Sequence, residues 1–390
     1  MAPAIAFDSP EDVTALLQAA KTADEVKQIA DRARELSELP SRWMEQLLPI
    51  IGERTLETIC VPRSHDAGMY LPVSYRRLGS PSTVITQTRD ILSQLKLGVR
   101  MFDLRPCIVK GEFYCEHYSY IGGNELPDVV KGAAGFLLPV LTGYYHGGEG
   151  AKLRDIISMV NEFVKDRREV VILEITHTFN FDREVQNSEW GFELNTEEWK
   201  RLTDELCGLS NLYVSDQGPN CQVTKLKINE LLASGQSAVM VTTARPGGVD
   251  LDPTVAGKGF YEQGILDPLR GHHISYTQST VETVCAFLYD TDKSIIAKGI
   301  LRLIAKTVGG DSPYLKDELW SIVDVARLRK FQELPKVYQN VSAEEYPNLI
   351  SMDTVEDEML LAAVFRVLGK VITGRDASLV HGEDGQWAFQ

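Results

Sequence analysis

Thr58-Ile59-Cys60-Val61-Pro62-Arg63-Ser64-His65-Asp66-Ala67-Gly68-Met69-Tyr70 reads as a short β-branched run that opens directly into a polar cluster. A buried strand ending in a His-Asp pair is how a parallel α/β protein presents acid/base chemistry at the carboxyl end of its sheet. His65 titrates near neutral pH, Asp66 can hold a neighbouring cation, and Gly68 allows a sharp turn. A single histidine after a strand is more often a satisfied loop residue. The weight therefore rests on the strands further along the chain.

A helix is expected over 88–97, and then a strand in Gly98-Val99-Arg100-Met101-Phe102-Asp103-Leu104-Arg105-Pro106. If Phe102 and Leu104 face an outer helix layer, Asp103 and Arg105 point inward, where two charges need partners or form a site. Glu112 to Ser119 reads as a third strand whose period of two puts Cys115, His117 and Ser119 on one face. The Gly-rich stretch from Ile121 to Gly150 is too long for an ordinary connection and reads as a lid or substrate loop. Leu153, Ile156, Ile157, Val160, Phe163 and Val164 fall at helical spacing. The run 170–177 is a fourth strand with Glu174 and Thr176 on the inner parity. Ser237–Thr243 and Ile274–Gln278 read as further strands, with a weaker one between Gly257 and Leu266. Asn348–Asp353 is the final strand, placing Ser351 and Asp353 together, and a helix comes after it over 355–371.

Strands that alternate with helices argue for a distorted TIM-like (β/α) barrel. His65, Arg105, His117, Glu174 and Asp353 then each sit at or just beyond the carboxyl end of a strand, where a barrel carries its active site. Closing the barrel sets the last strand beside the first and brings Asp353 to His65. Two amphipathic helices near residues 10–20 and 23–37, and a third from about Ser41 to Ile51, read as a helical preface. The resulting partition is an N-terminal helical extension over 1–42, the barrel over 43–372 and a C-terminal tail over 373–390.

Composition sets outer bounds. The formal charge is −15, from 55 acidic and 40 basic residues in 390; such a surface repels nucleic acid and anionic lipid over long range. A phosphate-bearing ligand therefore needs locally placed cations. No apolar run is long enough to span a membrane, and Met1 to Asp8 lack the basic flank and apolar core of a secretory signal, so a cytoplasmic protein is expected. Six cysteines without a CxxC pair are expected as free thiols, with Cys107/Cys115 and Cys207/Cys221 the pairs to inspect in a secreted protein. No cofactor is expected.

Ser64-His65-Asp66-Ala67-Gly68, Phe102-Asp103-Leu104-Arg105 and the His117 strand resemble the phosphatidylinositol-specific phospholipase C X-domain superfamily, more closely its bacterial and fungal PLC-like phosphodiesterase branch. The resemblance runs from about Trp43 to Val371. It implies that His65 is the general base, His117 the general acid and Asp353 the group that orients His65. It also implies that Arg105, braced by Asp66, stabilises the phosphoryl charge in place of a metal, so no metal is expected. This is the minimum set for cleaving a phosphodiester through an internal hydroxyl: a base, an acid and a cation on the non-bridging oxygens.

The departures are specific. Arg63 stands where the family has Gly, narrowing the mouth or adding a phosphate contact. Thr176 stands where a Glu or Lys would align. His146, in Tyr145-His146-Gly147-Gly148, rivals His117 for the acid role; His117 is preferred because it comes 12 residues after Arg105 on a strand of the right parity. Asp103, Glu174, His146, Arg63 and Thr176 are the candidate substrate-binding residues. The expected activity is metal-independent cleavage of a small-molecule or lipid phosphodiester. The alternatives are an isomerase or cyclase that uses the same His pair on a non-phosphate substrate, and a binding module without catalysis.

Overall fold

The computed structural model describes residues 37–77, 79–121, 142–184, 192–243, 251–266, 322–323, 326–327, 341–344, 346–382 and 386–390. Its strands are β1 (Val61–Ser64), β2 (Ser74–Arg76), β3 (Met101–Leu104), β4 (Pro106–Val109), β5 (Glu112–Ile121), β6 (Tyr144–Lys152) and β7 (Val170–Ile175). They continue with β8 (Phe179–Asn180), β9 (Ala238–Thr243), β10 (Phe260–Glu262), β11 (Leu349–Met352), β12 (Leu379–His381) and β13 (Trp387–Phe389).

Six of them form one parallel sheet in the order β10-β9-β7-β3-β1-β11. The central strand β7 is buried on both faces, and it is a near-continuous apolar run, Val-Val-Ile-Leu-Glu-Ile, rather than an alternating one. The last strand lies beside the first, with Arg63 opposite Ser351, as a (β/α) barrel requires. Most of residues 267–348, between β10 and β11 in the chain, lie outside the described residues. The 274–278 strand and the helices expected near 10–20 and 23–37 also fall outside them. Phe260–Glu262 is the strand that was only weakly legible between Gly257 and Leu266.

The helix Leu153–Val164 buries Leu153, Ile156, Ile157, Val160, Phe163 and Val164, the set the spacing predicts. Met359–Thr373 packs behind β1 and β11 and ends at Gly374, which has a left-handed φ of 73°. The helix expected from Ser41 to Ile51 is instead three short turns, Pro40–Arg42, Trp43–Gln46 and Leu48–Ile51. Pro49 has no N–H to continue the preceding turn, so the helix restarts there. That segment is pinned under the sheet by the buried Glu169, which accepts from Arg100 Nε at 2.7 Å and from the amides of Met44 and Glu45. The C-terminal hairpin β12–β13 packs Trp387 and Phe389 against the main core.

The largest departure from expectation concerns the His117 strand. It is not the third barrel strand. After Arg105 the chain leaves the barrel, and β4 and β5 form a hairpin across Lys110 and Gly111, with φ of 52° and 75°. Two positive-φ residues make the tight turn that only an antiparallel pair can use. This hairpin belongs to a second sheet, ordered β2-β6-β5-β4-β8. The expected 121–150 loop is corrected in part: Tyr144–Lys152 is β6, paired antiparallel with β5, and residues 122–141 lie outside the described residues.

Candidate active site

The strand-end residues converge. His65 Nδ1 lies 2.8 Å from Asp353 Oδ1 and His65 Nε2 lies 2.6 Å from Arg105 Nη2. A guanidinium only donates, so Nε2 accepts from Arg105, and Nδ1 carries the proton given to Asp353. Arg105 Nη1 donates to Asp66 Oδ2 at 3.3 Å, and Nη2 also reaches Asp103 Oδ2 at 3.1 Å. His117 Nδ1 is hydrogen-bonded to Asp66 Oδ2. His65, Asp66, His117, Asp103 and Asp353 are all buried, and Arg105 is 8% exposed.

The second sheet thus supplies the second histidine. His117 reaches the barrel mouth because β5 pairs with β4, which starts one residue after Arg105. On the same face, one pleat along, Ser119 pairs with His146 of β6. His117, rather than His146, contacts Asp66. Gly68 owes its place to close packing: a Cβ there would lie 2.3 Å from Cys115 Sγ. The left-handed residue in this turn is Asp66, with φ 45°.

Further polar side chains adjoin these groups. Arg63 donates to Glu174 from Nε at 3.2 Å and Nη2 at 2.8 Å, and to Ser351 Oγ at 2.9 Å. Gln263 Nε2 holds the other Glu174 oxygen at 2.7 Å. Thr176 Oγ1 donates to Asp103 Oδ1 at 2.7 Å, and the Asp66 amide to Asp103 Oδ2 at 3.3 Å. Arg63 Nη2 also lies 3.7 Å from Asp103 Oδ2, so its guanidinium joins the Glu174 side of the cluster to the Arg105 side. Asp103, Glu174, Arg63 and Thr176 spend their hydrogen-bonding capacity largely on one another and on Arg105.

The electrostatics arise from this packing. Burial alone would raise the Asp66 pKa, but Arg105, His117 and His65 outweigh it and hold the carboxyl below its usual range. Burial is likewise overcome at Asp103, held well below that range by Arg105, Arg63 and His65. Burial opposes charge on His65, yet Asp353 and Asp103 outweigh both burial and Arg105, and its pKa stands above the ordinary imidazole value. The cysteines among the described residues, Cys60, Cys107, Cys115, Cys207 and Cys221, are free thiols.

Sequence reasoning missed three groups. Gln87 Nε2 donates to the carbonyls of His65 and Met352, and its Oε1 accepts from the Val355 amide, so it stitches the ends of β1 and β11 together. Thr86 Oγ1 donates to the Asp66 carbonyl. His177, just past β7, is exposed and held at φ 45°. Gln87 and Thr86 lie in a loop without periodicity, so no sequence pattern marks them. His177 was visible at the end of the fourth strand, but simple alternation turns it away from the site.

The structure is thus a parallel α/β sheet that gathers a His-Asp pair, a second histidine and an arginine at its carboxyl end. The chain is similar to the PI-PLC X-domain superfamily. Over 118 residues it is 31% identical to the PI-PLC X domain-containing protein DDB_G0269228 of Dictyostelium discoideum, covering 26% of this chain and 21% of that one. The chain thus spans about a fifth of that relative's length. No family model matches. Among solved structures, a pentafluoro-Phe variant of the phosphatidylinositol-specific phospholipase C of Staphylococcus aureus superposes with a TM-score of 0.47 at 14% identity, covering 84% of this chain and 97% of that one. The phosphatidylinositol-specific phospholipase C of Listeria monocytogenes gives 0.41 at 12% identity, with 83% and 97% covered. Among the described residues no helix is long and apolar enough to cross a membrane.

Proposed function

We propose that this chain is a phosphodiesterase of the phospholipase C type, cleaving a small-molecule or lipid phosphodiester through an internal hydroxyl. The observation that carries this reading is His65 held between Asp353 and Arg105, with His117 on the same Asp66 carboxylate as Arg105. A phosphate takes the guanidinium donors of Arg105 and so releases the Nε2 lone pair. His65 removes the proton of the substrate hydroxyl, whose oxygen attacks phosphorus. The P–O bond to the leaving group breaks, and His117 returns a proton to that oxygen. Asp353 fixes the His65 tautomer and stabilises the imidazolium. The charge on the non-bridging oxygens falls to Arg105, which is the basis for assigning a metal-independent reaction.

Four buried carboxylates, Asp66, Asp103, Glu174 and Asp353, face two guanidiniums, Arg63 and Arg105. That balance favours the second reading, acid/base isomerisation or cyclisation of a non-phosphate small molecule. A panel of phosphatidylinositol vesicles, glycerophosphodiesters and aryl phosphodiesters, with and without chelator, separates the two. Chelator-resistant turnover that His65→Ala abolishes supports the phosphodiesterase. No turnover of any phosphodiester, together with no sulfate bound at Arg105 in soaked crystals, rejects it.

A further inference from the structure

Three non-glycine residues among those described come directly after a site residue or its neighbour at the end of a parallel strand, all with left-handed backbone: Asp66 (φ 45°), His177 (φ 45°) and Thr354 (φ 57°). The residues before them are His65, Thr176 and Asp353. Simple strand alternation would send each of their side chains to the outer layer, opposite the residue before it. The left-handed step re-aims the side chain. Asp66 shows the result, since its carboxylate returns to Arg105 and His117. Thr354 is instead tied down through Oγ1 to the Thr86 carbonyl at 3.2 Å.

His177 makes the same step with nothing to tie it. No described residue hydrogen-bonds its ring, and the residue is exposed, whereas His65 and His117 are 1% and 2% exposed. Thr176, immediately before it, is fixed by its hydroxyl on Asp103 and by its amide on the Leu104 carbonyl. The base of the His177 side chain is therefore held beside the Asp103–Arg105 pair. Because β7 flanks β3 on the side away from β1, His177 and His65 lie on opposite flanks of Arg105. A backbone conformation that an L-residue rarely adopts, kept at the mouth of a site and satisfied by no hydrogen bond to the ring among the described residues, points to a ligand.

We propose that His177 is a specificity-determining residue that hydrogen-bonds a hydroxyl of the substrate's headgroup on the flank of Arg105 opposite the base. The inference rests on the phosphodiesterase reading above and names the part of the substrate this chain reads. A hydroxyl suits a ring whose neutral form is favoured: burial of its inner side and Arg105 lower its pKa, outweighing Asp103 and Asp66, and His65 adds to the lowering. A neutral imidazole offers one donor and one acceptor, the complement of an alcohol.

The test compares two chromogenic diesters that both carry an internal nucleophile: nitrophenyl inositol phosphate, with a ring of hydroxyls, and nitrophenyl hydroxypropyl phosphate, with only the attacking one. His177→Ala is expected to raise KM about tenfold for the first with kcat little changed, the scale of one lost hydrogen bond, and to leave the second unaffected. His177→Asn, which tolerates the left-handed backbone and keeps a donor and an acceptor, is expected to recover most of the loss. His177→Gly is expected to keep the melting temperature and still lose the polyol preference, which a purely structural role would not do. Equal effects on both substrates, or none on either, overturn the assignment. If His65→Ala remains active, the phosphodiesterase reading itself fails; an inactive His65→Ala with an indifferent His177→Ala sinks only the inference about His177.

Discussion

Arg105 Nη2 sits 2.6 Å from His65 Nε2, and that contact and a proton on Nε2 exclude one another. With that contact made, Nε2 carries no proton, while Asp353 and Asp103 make His65 more basic than an ordinary imidazole. As the base proposed above, His65 must be neutral to act, so activity is expected to rise with pH through a value above about 6.5, the ordinary imidazole pKa. The pH profile of kcat/KM and the NMR titration of His65 both read it. Asp353→Asn keeps the geometry, removes the charge, moves that limb to lower pH and lowers kcat by about a hundredfold or more. Arg105→Lys loses most of the activity, because a point charge cannot donate to Asp66, Asp103 and a phosphate from one fixed fork. An acid limb unmoved in Asp353→Asn would show that the carboxylate does not control the base.

Arg63 and Glu174 behave as a buried pair, with side chains 8% and 0% exposed. Arg63→Met removes the cation paired with the buried Glu174, at a cost of about 3–5 kcal/mol. The double variant Arg63→Met/Glu174→Gln is expected to recover much of that in denaturant unfolding, since the unpaired charge is gone. KM should change little in the double variant; a large rise would return Arg63 to the role of direct substrate ligand.

Much of this site was readable because charge on an inner strand face has few explanations. Asp103 and Arg105 fall on that parity, and the last strand must meet the first in a barrel, which brings Asp353 to His65. The route of His117 was not readable from parity alone. Cys115, His117 and Ser119 share a face whether β5 is parallel or antiparallel. The distinguishing signal was Lys110-Gly111, two residues between two strands, which leaves no room for a crossover helix. Parity puts Arg63 inside, but its partners Glu174 and Ser351 come from strands more than a hundred residues away in the chain, and no local spacing names them. Gln87 exerts its effect through backbone carbonyls, a role that no spacing encodes.

Gly68 meets Cys115 so closely that even an alanine cannot fit. A Cβ at Gly68 would lie 2.3 Å from Cys115 Sγ and 2.4 Å from its Cβ. Gly68→Ala is expected to cost about 1–3 kcal/mol in thermal or denaturant unfolding, and to lower kcat by shifting the His65-Asp66 turn. Cys115→Ala should not rescue it, because the Cβ remains, whereas Cys115→Gly should do so in part. Full rescue by Cys115→Ala would mean that the sulfur alone sets the constraint.

Glu116 offers the clearest pH test of stability. It sits next to Cys115 on β5, is 1% exposed, pairs in register with Glu149, and its Oε2 has no partner among the described residues. Burial, with Asp66 adding to it, pushes its pKa well above the usual carboxylate value. The unfolded chain gives up this proton near pH 4.3 and the folded chain holds it to higher pH, so between the two values folding takes up a proton. The contribution of Glu116 to stability is therefore complete below about pH 4.3 and declines as pH rises towards the folded value. Glu116→Gln, neutral at every pH, is expected to leave the melting temperature unchanged near pH 4 and to raise it by a few degrees near pH 8, the scale of about 1 kcal/mol. Calorimetry at the two pH values decides it. A variant less stable than the parent near pH 8 would mean that the Glu116 carboxylate is charged and paired in the folded protein.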